Sequence, residues 1–154
     1  MNINQINKQI FNSLMTLTHW LTENKRRNLL GKPVMRALGS LTLKVKKAEK
    51  KNSALESAEE WQRMFPSKKM VPITKIEDET VYAEIRSECP YRGSGNVEGC
   101  YRMMEYDRKM MEKIGTSFTV IKSQAEAGVS HCQVAMSKSS SNLLTEAKDR
   151  IAKV

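Results

Sequence analysis

Residues 71–86 read Val71-Pro72-Ile73-Thr74-Lys75-Ile76-Glu77-Asp78-Glu79-Thr80-Val81-Tyr82-Ala83-Glu84-Ile85-Arg86, and the fold turns on them. Val71 and Ile73 alternate with polar neighbours; after the turn-like Glu77-Asp78-Glu79, Val81, Ala83 and Ile85 alternate with Tyr82, Glu84 and Arg86. A period of two sends successive side chains to opposite faces of a strand, so the stretch predicts two paired strands with one apolar face. The residues before it are spaced differently. Ile3, Ile6, Ile10, Leu14, Leu17 and Leu21 recur at helical spacing, forming one apolar stripe of a first helix with His19 opposite. A basic break follows (Lys25, Arg26, Arg27), and Gly31-Lys32-Pro33 makes a turn whose proline suits the start of a second helix over residues 33–51. Ser53 with Glu56, and Ser57 with Glu60, have capping-box spacing, so a third helix carries Trp61, Met64 and Phe65 until Pro66 stops it.

Beyond Arg86 the chain passes through a loop with Gly93, Gly95 and Gly99 into a periodic helix over about residues 97–114, which Gly115 terminates. Two further strands are expected near residues 118–123 and 129–136, joined through 124–128. A last helix is expected from Ser139 onward, with Leu143, Leu144, Ala147 and Ile151 on one side. The expected class is therefore α+β: a four-stranded antiparallel sheet covered by helices, in the order αααββαββα. It would form a single domain over residues 1–154, helical over residues 1–66 and ββαββα over residues 67–154.

Composition narrows the function classes. At 154 residues the chain has the size of one hydrophobic core, and 40% hydrophobic residues with 7 Gly and 4 Pro exclude collagen-like and disordered readings. The uncharged stretch from Gln9 to Thr22 is too short and polar to span a bilayer. No secretion signal is evident, so a cytoplasmic location is expected. The net charge of +9 suits anionic partners: small molecules, acidic membranes or nucleic acid. Lys44, Lys46, Lys47, Lys50 and Lys51 offer a basic helical face for the last two.

Candidate chemistry clusters around the helix after the glycine loop. On a helix, Cys100, Met104, Asp107, Met111 and Ile114 share one stripe. Asp107 thus lies mid-stripe on the apolar face, where a carboxylate needs a partner, with Arg86, Arg92 or a strand backbone in reach. The loop carrying Arg92, Gly93 and Gly95 leads into the helix start, where free amides reinforced by Arg92 and Arg102 would receive an anion, and the same field would favour a thiolate at Cys100. Cys89 follows the second strand on its buried parity, and Cys132 shares parity with Val134 and Met136. Cys89, Cys100 and Cys132 are also a dispersed ligand set for zinc or an iron–sulfur cluster.

These residues resemble a known family. Cys89-Pro90-Tyr91 after a strand, Cys100 on a following helix with an acid beyond it, and Gly128-x-x-His131-Cys132 in a late strand are similar to the L-2-amino-thiazoline-4-carboxylic acid hydrolase-like family over residues 80–137. The element order also looks like the wider group of 4-vinyl-reductase-type ligand-binding domains and TRAPP subunits. The resemblance implies helices packed on a four-stranded sheet, with Cys89, Cys100 and Cys132 lining one pocket used for hydrolysis or small-molecule sensing. Three expectations follow. The first is a cysteine-dependent hydrolase of a small anionic substrate, with Cys89 or Cys100 as nucleophile and Asp107 as acid or base. The second is a non-catalytic ligand- or metal-binding sensor that dimerises through its first helix. The third is a basic nucleic-acid-binding protein.

Overall fold

The computed structural model describes residues 3–138, so the expected last helix lies outside the described residues. Its elements are α1 (Ile3–Thr22), α2 (Asn28–Val45), α3 (Ala54–Met64), a short 3-10 turn (Lys68–Met70), β1 (Ile73–Glu77), β2 (Thr80–Ile85), α4 (Val97–Met103), α5 (Glu105–Ile114), β3 (Ser117–Lys122) and β4 (Cys132–Ser137). The fold is α+β, with one antiparallel sheet in the order β1-β2-β4-β3. The decisive stretch forms the expected hairpin. Glu77 pairs with Thr80 across a two-residue turn, and Asp78 takes the left-handed conformation (φ +49) that such a turn requires. β2 then pairs with β4 along its whole length, from Thr80 with Ser137 to Ile85 with Cys132.

One face of the sheet is apolar. Val81, Ala83 and Ile85 of β2, Phe118 and Val120 of β3, and Cys132, Val134 and Met136 of β4 are all buried in the common core. α3 packs against β2 and β4, and α5 packs against β3, while α1 and α2 lie against α4 and α5. Ser53 caps α3 by accepting from the Glu56 amide, and Glu56 reaches back to the Ser53 amide, the reciprocal box read from sequence.

Several element boundaries differ from expectation. α2 starts at Asn28, placing exposed Pro33 in its second turn, and it ends at Val45, with Lys47 left-handed at φ +50. Of the five lysines in 44–51, only Lys44 is helical; Lys51 instead donates its backbone amide to Ile114. The basic helical face is thus a basic loop. The single helix expected over 97–114 is jointed at Met104, where Arg108 Nη1 donates to the Tyr101 carbonyl at 2.7 Å. The joint leaves the stripe intact, since Cys100, Met103, Met104, Asp107, Met110, Met111 and Ile114 are all buried.

A further difference concerns the rotation of α1. Thr18 and Thr22 are buried, whereas Leu17 and Trp20 are 51% and 55% exposed. The inward face is about a quarter turn from the apolar stripe. Side-chain hydrogen bonding sets this rotation. Thr22 Oγ1 and the buried Tyr91 hydroxyl share a hydrogen bond of 2.8 Å, Arg102 Nε donates to the Thr22 carbonyl at 2.7 Å, and Asn96 Nδ2 donates to the Glu23 carbonyl at 3.2 Å. These groups occupy the carbonyl end that a helix leaves unsatisfied.

Candidate functional site

The helices stand off the sheet at one place and leave a cavity of about 310 Å3, at the lower end of the roughly 300–1,000 Å3 range of small-molecule sites. α1 and α2 roof it with Leu14, Met15, Met35 and Leu38, and Met103 and Met104 form a wall at the joint between α4 and α5. Ile85 and Cys132 meet it at the paired ends of β2 and β4. Its polar groups are few: Thr18, Thr42, Ser87, Cys89, Tyr106, Asp107, Gln124 and Cys132. Among the described residues, no lysine, arginine or histidine belongs to the wall.

Asp107 is the wall's carboxylate. It stands in the first turn of α5, only 7% exposed, and Trp61 Nε1 donates to its Oδ1 at 2.9 Å. Burial raises its pKa to about 6, the Trp61 hydrogen bond opposing that shift. The partner is thus an indole from α3. Arg86 instead pairs with Glu84, and Arg92 Nε donates to the Gln124 side-chain oxygen at 2.9 Å. Tyr106, beside Asp107, donates its hydroxyl to Thr42 Oγ1 at 2.9 Å, and burial pushes its pKa up to about 12.

The three cysteines gather at the same end of the sheet without forming a metal site. Cys100 and Cys132 are fully buried and hydrogen-bonded to each other. This bond and burial hold the Cys100 proton in place. The pKa of Cys132 is lowered by accepting from Cys100, and its sulfur also receives the Gln124 backbone amide at 3.3 Å. Cys89 is half-buried and lines the cavity from the turn after β2, its thiol raised by burial. Among the described residues no group of three or more His, Cys, Asp or Glu is placed to hold a metal ion, so the zinc or iron–sulfur set of Cys89, Cys100 and Cys132 is not assembled. Cys100 is also corrected as a nucleophile that faces substrate, because it lies behind Cys132 and outside the cavity wall.

The expected anion cradle is likewise absent from this loop. The Gly93 amide donates to the Gln124 carbonyl at 2.8 Å and the Gly95 amide to the Ala125 carbonyl at 2.9 Å. Arg102 is spent on the end of α1 and on Glu98, and the Gly99 amide is capped by Asn96 Oδ1 at 2.9 Å. Satisfied donors have nothing left to offer a ligand.

Sequence reasoning missed Gln124. This fully buried amide donates through Nε2 to the carbonyls of Ile85 and Ser87 at 3.0 and 3.2 Å, while its backbone amide meets Cys132. It therefore fixes both the exit of β2 that carries Cys89 and the sulfur of Cys132. A lone glutamine in a polar connection gives no periodic signal that marks it as buried. Compared with protein-family models, with curated proteins and with solved structures, the chain matches none.

Proposed function

We propose that this chain is a small-molecule-binding domain whose ligand is neutral and mostly apolar and occupies the cavity between the α1–α2 roof and the ends of β2 and β4. The observation that carries the reading is the composition of the wall: aliphatic and methionine side chains, with Asp107, Cys89 and Cys132 as the reactive polar groups and no cation among the described residues. Methionines suit such a wall because their flexible thioethers adapt to varied shapes. The resemblance of residues 80–137 to the thiazoline-carboxylic acid hydrolase-like family supports a pocket in this place, while the lack of a cation shifts the ligand from the small anion expected to an uncharged molecule. The test is binding of N-phenyl-1-naphthylamine, a neutral apolar fluorophore. Fluorescence should rise on addition to the wild-type chain and fail to rise with Leu38→Trp, which fills the cavity from α2. Equal signals from both proteins, or none from the wild type, would overturn the proposal.

A second reading keeps the cavity and adds hydrolysis, favoured by Cys89 and Asp107 lining the same space. It requires Cys89→Ala to abolish turnover of a thiazoline or amide substrate while leaving fluorophore binding in place.

A further inference from the structure

We infer that the outer face of α2, together with the α1–α2 corner, docks on an anionic membrane surface. Leu30, Val34, Ala37, Leu41 and Val45 recur at spacings of three and four, so they share one stripe of α2. All five are exposed, Leu30 and Val45 at 70% and 72%. At the rise of a helix the stripe is about 22 Å long. Leu29, 85% exposed, stands at the corner. The rotation of α1 leaves Leu17 and Trp20 outside as well, with the Arg27 guanidinium 4.7 Å from the centre of the Trp20 ring. An apolar stripe of this length on a surface marks an interaction site.

Charge selects the occupant. Residues 24–48 hold eight cations and no acid. Lys25, Arg27 and Arg36 pair with glutamates outside that stretch, whereas Arg26, Lys32, Lys44, Lys46 and Lys47 are exposed and, among the described residues, form no ion pair. A second copy laid along the stripe would set these cations against their own kind. An anionic bilayer neutralises them instead, which strengthens binding about fivefold for each one near the headgroups. Exposure separates a bilayer from an acidic groove on a folded protein. Leu29 and Leu30 are knobs without walls; a folded partner must supply a matching hole for each, and the boundary between headgroups and acyl chains takes them without one. Tryptophan beside arginine is also suited to that boundary. No helix among the described residues is long and apolar enough to cross a bilayer, so the contact is with its surface. Since α1 and α2 also roof the cavity, docking sets that roof against the membrane, yet it depends on the exposed groups and not on what the cavity holds.

The test is co-sedimentation of the full chain with vesicles of phosphatidylserine and phosphatidylcholine in equal parts, and with vesicles of phosphatidylcholine alone. The chain should pellet with the mixed vesicles and stay in solution with the neutral ones. Brominated acyl chains in the mixed vesicles should quench its tryptophan emission, and Trp20→Phe should remove that quenching. Lys44→Ala, Lys46→Ala and Lys47→Ala together should weaken partitioning about a hundredfold. Leu30→Ser with Leu41→Ser should weaken it about tenfold. Both sets alter exposed side chains, and thermal unfolding like that of the wild type checks that each variant folds. No pelleting with the mixed vesicles, equal pelleting with the neutral ones, or pelleting that the leucine substitutions leave unchanged would overturn the inference. So would a dimer in light scattering that the same leucine substitutions dissolve, since a second copy would then be the occupant.

Discussion

Asp107 makes the fold depend on pH in an unusual direction. Its ordinary pKa of 3.8 is raised to about 6 by burial, so the folded chain holds this proton more tightly than the unfolded chain does. The contribution to stability is fully present below pH 3.8 and is lost as pH rises through about 6, a change of about 3 kcal/mol at 1.36 kcal/mol per unit. Asp107→Asn keeps an oxygen for the Trp61 indole and removes the charge. Urea unfolding should find it about 2–3 kcal/mol more stable relative to the wild type at pH 8 than at pH 4. A difference independent of pH would show that the carboxylate is already compensated. Trp61→Phe deletes the indole donor that lowers the Asp107 pKa, so the stability loss of that variant should start from the same pH, continue to a higher pH and be larger than in the wild type.

At the scale of elements, the crossing of α2 over α5 depends on Gly39. A β-carbon there would lie 2.7 Å from the Tyr106 carbonyl, backbone that cannot swing aside. Gly39→Ala should therefore cost about 1–3 kcal/mol as an overpacking change. It should also weaken fluorophore binding, because Tyr106 and Asp107 move with α5; unchanged stability and binding would show that the two helices separate freely. Elements were legible where one periodicity ruled. The hairpin at residues 73–85, the capping box at Ser53 and the buried stripe from Cys100 to Ile114 followed from spacing alone. What spacing cannot show is which face wins when hydrogen bonding competes with burial. Thr22, held by Tyr91 and Arg102, turned α1 away from its leucine stripe. The site was half legible for the same reason. The stripe pointed to Asp107 and strand parity to Cys132, but Trp61, Gln124 and the emptied anion cradle come from contacts between residues far apart in the chain, such as Trp61 with Asp107 and Arg92 with Gln124, which no local pattern encodes.

For the whole molecule, the cavity is a site of stored instability that a ligand relieves. A compound that binds only the folded chain adds RT ln(1 + [L]/Kd), about 2.7 kcal/mol at one hundred times Kd. Thermal unfolding with saturating N-phenyl-1-naphthylamine should show that gain in the wild type and none in Leu38→Trp. A gain shared by both would place the binding elsewhere on the surface. Native-state hydrogen exchange should protect the central strands β2 and β4 most, since each is paired on both sides, and β1 least.

The packing of Gly99 against Tyr91 also bears on descent. A β-carbon at 99 would fall 2.6 Å from the Tyr91 ring, and that ring's hydroxyl holds the end of α1. Neither position can drift alone. A lineage that enlarges residue 99 must first, or together, shrink residue 91 and so release α1, which makes this pair a record of shared ancestry in any set of natural variants that keep the same roof.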